Sequence, residues 1–586
     1  MKVVIVGGVA GGASAAARLR RLDESAEIVM FERSGYVSYA NCGLPYYIGG
    51  VITDPAQLTL QTPESFKRRF NIDVWVRHEV TAIDAQAKMV SVTNLETGES
   101  FKEPYDKLLL SPGAKPTIPP LAGVDLERVF SLRTVEDTLA IHEFVRQNNP
   151  KTVVIAGGGF IGLEMAENLL EMGIQVTIVQ RPTQVMSPLD ADMAAQLHVM
   201  LREHGALLRL GRTVEGFELA GPGGCSAVYS PNDAACASCD VASGCRVRTL
   251  LKDEEPLESD FVIMAIGVTP DSSLAKAAGL ELGQKGSIVV SDRMETSAAD
   301  VYAVGDAVEV TQFVSGLRTV IPLAGPANKQ GRIAADNICG IDSHYQGSQG
   351  SSVLKLFDLA AAVTGLNEKM AKAAGIPYDR VVLSPNSHAS YYPGAKSMVM
   401  KVLYEKGTLR LLGAQIVGRE GVDKRIDVLA TAIRCEMAAT ELAELDLAYA
   451  PPYSSAKDPV NMAGFMIENL ESGLVRQYHW HDVADLPRDG SVTLLDTRTP
   501  KEYARGHVDG FVNIPVDELR DRLNELDAAK PVYVMCQSGI RSYIACRILA
   551  GHGFVAFNFS GGYGFYASVT QELAREDSTY PCGMVR

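Results

Sequence analysis

The chain alternates short apolar runs with stretches of helical character, and the order repeats. Lys2 to Val6 is a β-branched run that reads as a strand. Gly7-Gly8-Val9-Ala10-Gly11-Gly12 breaks it, Ala13 to Leu22 reads as a helix, and Ile28 to Phe31 is a second strand ending at Glu32. The same succession returns at Thr152 to Ala156, Gly157-Gly158-Gly159-Phe160-Ile161-Gly162, Leu163 to Met172 and Gln175 to Val179. From Ile321 to Leu470 it does not recur: Leu356 to Gly365 and Met398 to Gln415 read as sheet, Ile426 to Leu445 as helices. After a linker and domain start from Glu471 to Asp489, Val492 to Asp496 and Val532 to Met535 read as strands, the second running into a helix from Ser542 to Ala550. Strands followed by helices predict an α/β protein, and 586 residues at about 150 per domain suggest three or four domains.

The two glycine turns carry the first chemistry. Gly7 makes a tight turn, Gly12 lets the helix pack close to the strand, and the helix N-terminus attracts a pyrophosphate. Glu32 lies 20 residues after Gly12 and can accept a bond from a ribose hydroxyl, with Arg33 beside it. Val9 stands where such a fingerprint has its second glycine. The second turn is complete, with Gly157, Gly159 and Gly162, but its strand runs into Gln180-Arg181 instead of an acid. Gln180 can bond a 2′-hydroxyl and Arg181 could meet a 2′-phosphate, so NADH and NADPH both stay open. Two distant segments favour a flavin in the first fold: Leu108-Leu109-Leu110-Ser111-Pro112-Gly113-Ala114, a strand into a turn, and Val301 to Val304 ending in Gly305-Asp306, a carboxylate placed for a ribityl chain. The expectation is two Rossmann-like folds, one for FAD and one for NAD(P)H.

Composition mainly excludes. Hydrophobic content of 46% and charged content of 21% are those of a soluble globular protein. A net charge of −15 argues against nucleic acid and anionic membrane as partners, and no apolar run reaches the roughly 18 residues that span a bilayer. Met1 to Gly12 lacks the basic start and cleavage site of a signal peptide. Ten cysteines in this length make no disulfide scaffold, so a cytoplasmic, reducing setting is expected.

Individual cysteines say more. Ser38-Tyr39-Ala40-Asn41-Cys42-Gly43-Leu44-Pro45 follows the first strand–helix–strand unit and holds one cysteine without a near partner. A loop there lies near the bound nucleotide, so Cys42 reads as a redox thiol working alone; a buried, inert cysteine is the bland alternative. Cys225, Cys236, Cys239 and Cys245 fall in a Gly/Ser/Ala-rich insertion spanning 221–250. Cys236-Ala237-Ser238-Cys239 has ligand spacing, yet the set matches neither a zinc ribbon nor a common ferredoxin run. A zinc or iron–sulfur site and a loop of unpaired thiols both stand. Ser14, Arg18 and Arg21 share one face of the first helix, suited to a polyanion or simply to water.

Taken together, the glycine turns, Leu108 to Ala114 and the Gly305-Asp306 strand resemble the FAD-binding pattern of the pyridine nucleotide-disulfide reductases. With Asn41-Cys42-Gly43-Leu44-Pro45 and Tyr449-Ala450-Pro451-Pro452-Tyr453-Ser454-Ser455-Ala456-Lys457-Asp458-Pro459 added, residues 1 to about 470, except the cysteine insertion, resemble the coenzyme A-disulfide reductase branch. The resemblance implies an FAD-binding domain over 1–145 and 276–325, an NAD(P)H-binding domain over 146–275, and a dimerisation domain over 326–470. It implies a homodimer in which Tyr449, Lys457 and one of Tyr391 and Tyr392 serve the partner subunit's Cys42. It also implies coenzyme A contacts at Ser14, Arg18, Arg21, Ser38, Asn41, Asn328 and Lys457.

The C-terminal segment, 475–586, places Cys536-Gln537-Ser538-Gly539-Ile540-Arg541 at a strand end before a helix. Backbone N–H groups, the positive helix end and Arg541 would lower the thiol pKa and stabilise a thiolate or persulfide. Four residues separate Cys536 from Arg541, where a tyrosine-phosphatase-like loop needs five. The loop resembles that of rhodanese domains; an inactive rhodanese-like module is the alternative. Cys546 and Cys582 read as core or tail thiols.

The expected activity is reduction of persulfides, polysulfides or coenzyme A disulfides by NAD(P)H and FAD through Cys42, with sulfane sulfur handled at Cys536. Position 38 holds serine instead of a second cysteine, so a bound thiol such as coenzyme A would have to resolve the mixed species. Three rivals remain: an NADH oxidase or peroxidase cycling Cys42 through sulfenic acid, a sulfurtransferase with a regulatory flavin part, and a non-enzymatic redox sensor.

Overall fold

A computed structural model describes residues 1–220, 226–227 and 246–573. The backbone divides into two compact units, one of Met1–Pro182 with His204–Gly350, the other of Thr183–Glu203 with the chain from Ser351 onward. No helix among the described residues is long and apolar enough to cross a membrane.

The first unit holds two five-stranded parallel sheets. In one, Lys2–Val6 lies at the centre between Glu27–Glu32 and Lys107–Leu110, with Asp73–Val76 and Val301–Ala303 outside. Val3, Val4 and Ile5 are all fully buried, as a strand covered on both faces requires. Thr152–Ala156 is the centre of the second, between Gln175–Gln180 and Phe261–Met264, flanked by Leu207–Leu210 and Val129–Ser131. The first helix runs Ala10–Leu22, three residues earlier than its sequence predicts, because Gly11 and Gly12 lie inside its first turn. Arg20 is buried at its far end and donates to the carbonyls of Glu24, Ala26, Phe70 and Asn71, so this arginine is structural.

The second unit opens with an antiparallel sheet ordered Ser352–Leu356, Leu359–Gly365, Leu411–Gly418, Met398–Glu405 and Tyr378–Leu383. The apolar run from Met398 to Gln415 is thus a hairpin, turned at Gly407 and Leu409, both with positive φ. A parallel sheet follows, ordered Arg476–Tyr478, Ala556–Phe559, Val532–Met535, Thr493–Asp496 and Val512–Asn513.

A buried charge cluster sits in this unit. The Lys401 ammonium is fully enclosed, 2.9 Å from Asp192, 3.0 Å from Asp190 and 2.5 Å from Glu368. Burial favours the neutral amine, but the three carboxylates overcome it and raise its pKa. Burial likewise opposes ionisation of Glu368, yet Lys401 and Arg380 push its carboxyl down to about 2. Gln415 donates to Asp190 at 2.6 Å and the Trp480 indole to Asp192 at 3.2 Å, so the cluster ties four separate segments of the unit together.

Lys401→Met strands these carboxylates in the interior, at a cost of about 3–5 kcal/mol. Without that cation the Asp190 carboxyl, which burial already raises, rises further above its unfolded value, so the penalty is full at neutral pH and eases as acid protonates it. The thermal midpoint should therefore drop further at pH 8 than at pH 5. Equal drops at the two pH values, read by scanning fluorimetry, would contradict the cluster's electrostatic role.

Candidate active site

The first glycine turn forms a cradle that side chains would fill. A Cβ on Gly12 would stand 1.9 Å from the Gly7 carbonyl oxygen, and one on Gly7, whose φ is +92°, 2.1 Å from the Ser111 carbonyl oxygen. The Glu32 carboxylate accepts from the Gly8 N–H at 2.8 Å and from the Ser34 N–H at 3.0 Å, at the tip of its strand, where its burial pushes its pKa up. The second turn repeats the arrangement. A Cβ on Gly162 would meet the Gly157 carbonyl oxygen at 2.0 Å, while the space at Gly159 is open. The Gly158 N–H donates to Gln180 at 2.9 Å, the place Glu32 holds in the first fold. Two turns with free helix N-termini and a polar residue at the next strand end fit two dinucleotides. Gly113 and Gly305 take positive φ, and Arg33 pairs with Asp271 at 2.8 Å.

The thiol loop hangs from the first turn. Ser38 adopts φ +50° and donates its N–H to the Gly8 carbonyl at 2.8 Å. Asn41–Gly43 then forms a 3₁₀ turn, and Pro45 sits in the first turn of the helix Leu44–Ile48, where its missing N–H is harmless. Cys42 is exposed within this loop. Partial enclosure by the loop raises its thiol pKa, the Glu164 carboxylate adds to that, and the Arg133 guanidinium acts against both. Arg133 links the parts. It donates to Asp306 at 2.7 Å, and the Asn41 amide, oriented to donate to the Arg133 carbonyl (2.9 Å) and accept from its guanidinium (3.0 Å), completes the chain. Asn41 and Asp306, 265 residues apart in sequence, are thereby coupled. Glu164, on the helix Phe160–Glu171, is pushed up to about 7 by burial and by Glu167.

The structure treats the seven residues assigned to coenzyme A in different ways. Ser14 hydrogen-bonds Asn328, and Arg18 pairs with Asp336 at 2.7 Å. Arg21 is exposed. In the second unit, Lys457 lines a cavity of about 720 Å³ together with Gln537 and Ser538 of the C-terminal cysteine loop. The Tyr391 and Tyr449 hydroxyls meet at 2.6 Å. Tyr392 instead sets its ring edge-on to His388, with centroids 5.6 Å apart. Of the two tyrosines, Tyr391 is the one that joins Tyr449.

What holds those loops is a buried arginine. Arg425, 1% exposed, donates to Asp458 at 3.0 and 3.2 Å, to the Ser387 carbonyl at 2.8 Å and to the Ser454 hydroxyl at 3.2 Å. One guanidinium thus fixes the segment before Tyr391 to the segment after Tyr449.

Cys536 lies buried at the end of Val532–Met535, before the helix Ile540–Gly551. Its Sγ accepts from the Gly539 N–H at 3.1 Å and from the Ser542 hydroxyl at 3.2 Å. Gly539 reaches that pose through φ +98°. Arg541 is turned to Glu502 in a fork of 2.7 and 2.8 Å, which pushes the Glu502 carboxyl down to about 2. The sulfur's partners are therefore a backbone N–H and a hydroxyl. Arg498, ion-paired with Asp496, lies over the Tyr563 ring at 3.8 Å and borders a second pocket of about 280 Å³.

Arg133, Glu164, Arg425, Arg498 and Ser542 escape a reading of motifs. Arg425 left a signal: it stands in the apolar stripe of its helix with Val422, Ile426, Leu429 and Ile433, where a charge implies a buried partner. Cys225, Cys236, Cys239 and Cys245 lie outside the described residues, and among those described no His, Cys, Asp or Glu group is placed to hold a metal.

Comparison with known proteins agrees with this geometry. Residues 1–331 match the pyridine nucleotide-disulphide oxidoreductase family, 351–459 its dimerisation domain and 479–567 the rhodanese-like domain. The coenzyme A disulfide reductase of Staphylococcus aureus (strain JH9) is 35% identical over 465 residues, 79% of this chain and 99% of its own. The crystal structure of reduced Bacillus anthracis CoADR-RHD superposes with a TM-score of 0.90 at 46% identity, over 97% of this chain and 98% of that one. A NAD-dependent persulfide reductase from A. fulgidus gives a TM-score of 0.87 at 36% identity, over 96% and 100%. The chain belongs to the pyridine nucleotide-disulphide oxidoreductase family and carries a rhodanese-like domain after the family's dimerisation domain.

Proposed function

We propose that this protein is an FAD-dependent NAD(P)H oxidoreductase that reduces persulfides, polysulfides or coenzyme A disulfides at Cys42 and handles sulfane sulfur at Cys536. The observation that carries this reading is an exposed single thiol, tied through Asn41 and Arg133 to the Gly305-Asp306 strand end, on a chain with a second thiol in a rhodanese-type loop. The names of the S. aureus and A. fulgidus relatives point the same way. A water-forming NADH oxidase from Lactobacillus brevis is also similar, at 28% identity and a TM-score of 0.73, but that match covers 81% of this chain, against 96 and 97% for the two structures above.

Bound NAD(P)H and FAD would supply the two electrons that split a sulfur–sulfur bond at Cys42. The chain's own part is to present the thiol and place its partner. Ser38 holds the second position without a thiol, so the resolving sulfur must arrive on a bound carrier, for which coenzyme A is the proposed molecule. Ser14 with Asn328 would meet its polar groups. Arg21 is the exposed cation for its phosphates, since Asp336 already neutralises Arg18. In the homodimer, Tyr391 and Tyr449 would act as one hydrogen-bonded pair toward the partner subunit's Cys42, with Lys457 serving the same site. A proton held between two phenols suits the leaving thiolate. Coenzyme A would also ferry sulfur from Cys536 to Cys42 on its long pantetheine arm.

Three outcomes are expected. Cys42→Ser keeps FAD and its reduction by NADH but loses turnover with persulfide and coenzyme A disulfide; steady-state rates equal to wild type would end the single-thiol mechanism. Cys536→Ser loses thiosulfate sulfurtransferase activity and releases sulfide slowly from bulky polysulfide donors, while small persulfides offered to Cys42 are still reduced. Equal rates for every donor would mean that the two thiols work independently. For the insertion, anaerobically purified protein should contain zinc or iron near one equivalent per chain, and elemental analysis showing neither would leave Cys225, Cys236, Cys239 and Cys245 as loop thiols.

A further inference from the structure

The 720 Å³ cavity in the second unit has an unusual wall. One side is the cysteine loop, through Gln537, Ser538 and Ile540; the other includes His388 and Lys457. Serines, amides and apolar side chains make up the remainder, so His388 and Lys457 are the titratable groups on it. His388 is 5% exposed. Its Nδ1 lies 3.1 Å from the Ala389 carbonyl, an acceptor, so Nδ1 carries the proton and Nε2 is the basic nitrogen. Nε2 has no hydrogen bond among the described residues. The charged and titratable groups near the ring are Lys457, the Tyr392 ring set T-shaped to it, and Arg425, which bonds the adjacent Ser387 carbonyl and is itself paired with Asp458. The cysteine loop contributes neutral groups to this wall. An imidazole is the group here suited to take a proton near neutral pH.

We propose that this cavity admits a carrier thiol that collects sulfane sulfur from Cys536, and that His388 is the base that deprotonates it. This rests on the reading that a soluble thiol carries sulfur away from Cys536. In the step, Nε2 accepts the S–H proton, and the thiolate attacks the outer sulfur of the Cys536 persulfide. A new sulfur–sulfur bond forms on the carrier, and the old bond breaks with its electron pair passing to Cys536 Sγ. The Gly539 N–H and the Ser542 hydroxyl receive the resulting thiolate. The outer sulfur keeps its hydrogen, the imidazolium later returns its proton to water, and no net oxidation occurs.

The test uses FAD-loaded full-length protein whose Cys536 has been charged with thiosulfate. Single-turnover removal of the sulfur is followed with coenzyme A, with dithiothreitol and with cyanide, which needs no base. His388→Asn keeps a donor for the Ala389 carbonyl but has no Nε2. It should slow transfer to both thiols on the order of 10²-fold at pH 7, with the deficit closing as pH approaches the thiol's own ionisation near ~8.5, while the cyanide rate holds. Equal slowing with cyanide would overturn the assignment in favour of a structural role, and so would unslowed thiol transfer. A pH-dependent deficit in Lys457→Gln but not in His388→Asn would also overturn it and move the base to Lys457. Should wild-type protein pass sulfur to dithiothreitol and not to coenzyme A, the carrier reading fails, and the dithiothreitol arm still decides for or against His388.

Discussion

Twice in the first unit a helix begins in contact with a glycine carbonyl, at a distance no side chain could survive. Where a Cβ on Gly12 or Gly162 would lie 1.9–2.0 Å from that oxygen, hydrogen leaves room, and the helix can press against the strand before it. The free N–H groups of the first turn then gather beside the strand end, where a pyrophosphate binds. Ser38 donates its N–H to the Gly8 carbonyl, so the loop that presents Cys42 is fixed to the same turn. A substitution at Gly12 would move cofactor site and thiol together.

The two thiols are held by opposite strategies. Cys42 sits exposed in its loop, its pKa raised by partial enclosure and then by Glu164, with Arg133 acting against both. A thiol of this kind is quiet until a positive or electron-poor group arrives beside it, which suits a residue that acts only with its cofactor in place. Cys536 is buried, and its loop aims a backbone N–H and a hydroxyl at the sulfur. Those donors are built into the strand–helix junction and need no ligand. The Gly561 to Gly564 segment secures the loop from behind, since Tyr563 and Gly564 donate to the Cys536 and Gln537 carbonyls at 2.7 and 3.1 Å.

In the second unit, charge buried in the interior does the work of register. Lys401 joins a sheet strand to Asp190, Asp192 and Glu368, and Arg425 joins the loops of Tyr391 and Tyr449. Such groups stabilise only when every partner is present, so they specify one arrangement more than they add net stability. For Tyr391 and Tyr449 that arrangement is a 2.6 Å contact between residues 58 apart in sequence.

The sequence alone determined the strand–glycine–helix order, the lone Cys42 and the strand end before Cys536, because each depends on neighbours a few residues away. Thr152–Ala156 and Val532–Met535 run between the same residues in both readings, while the helices expected from Ala13 and Leu163 start three residues earlier, where glycines enter the first turn, and the one expected from Ser542 starts at Ile540. Tertiary structure decided what depends on residues far apart. It paired Tyr391 with Tyr449, bound Arg541 to Glu502, paired Arg18 with Asp336, and brought Arg133 between Asn41 and Asp306. A long side chain reaches any of several partners, and only the folded backbone sets which is in range; a glycine turn has no such choice, so its role was readable from spacing alone.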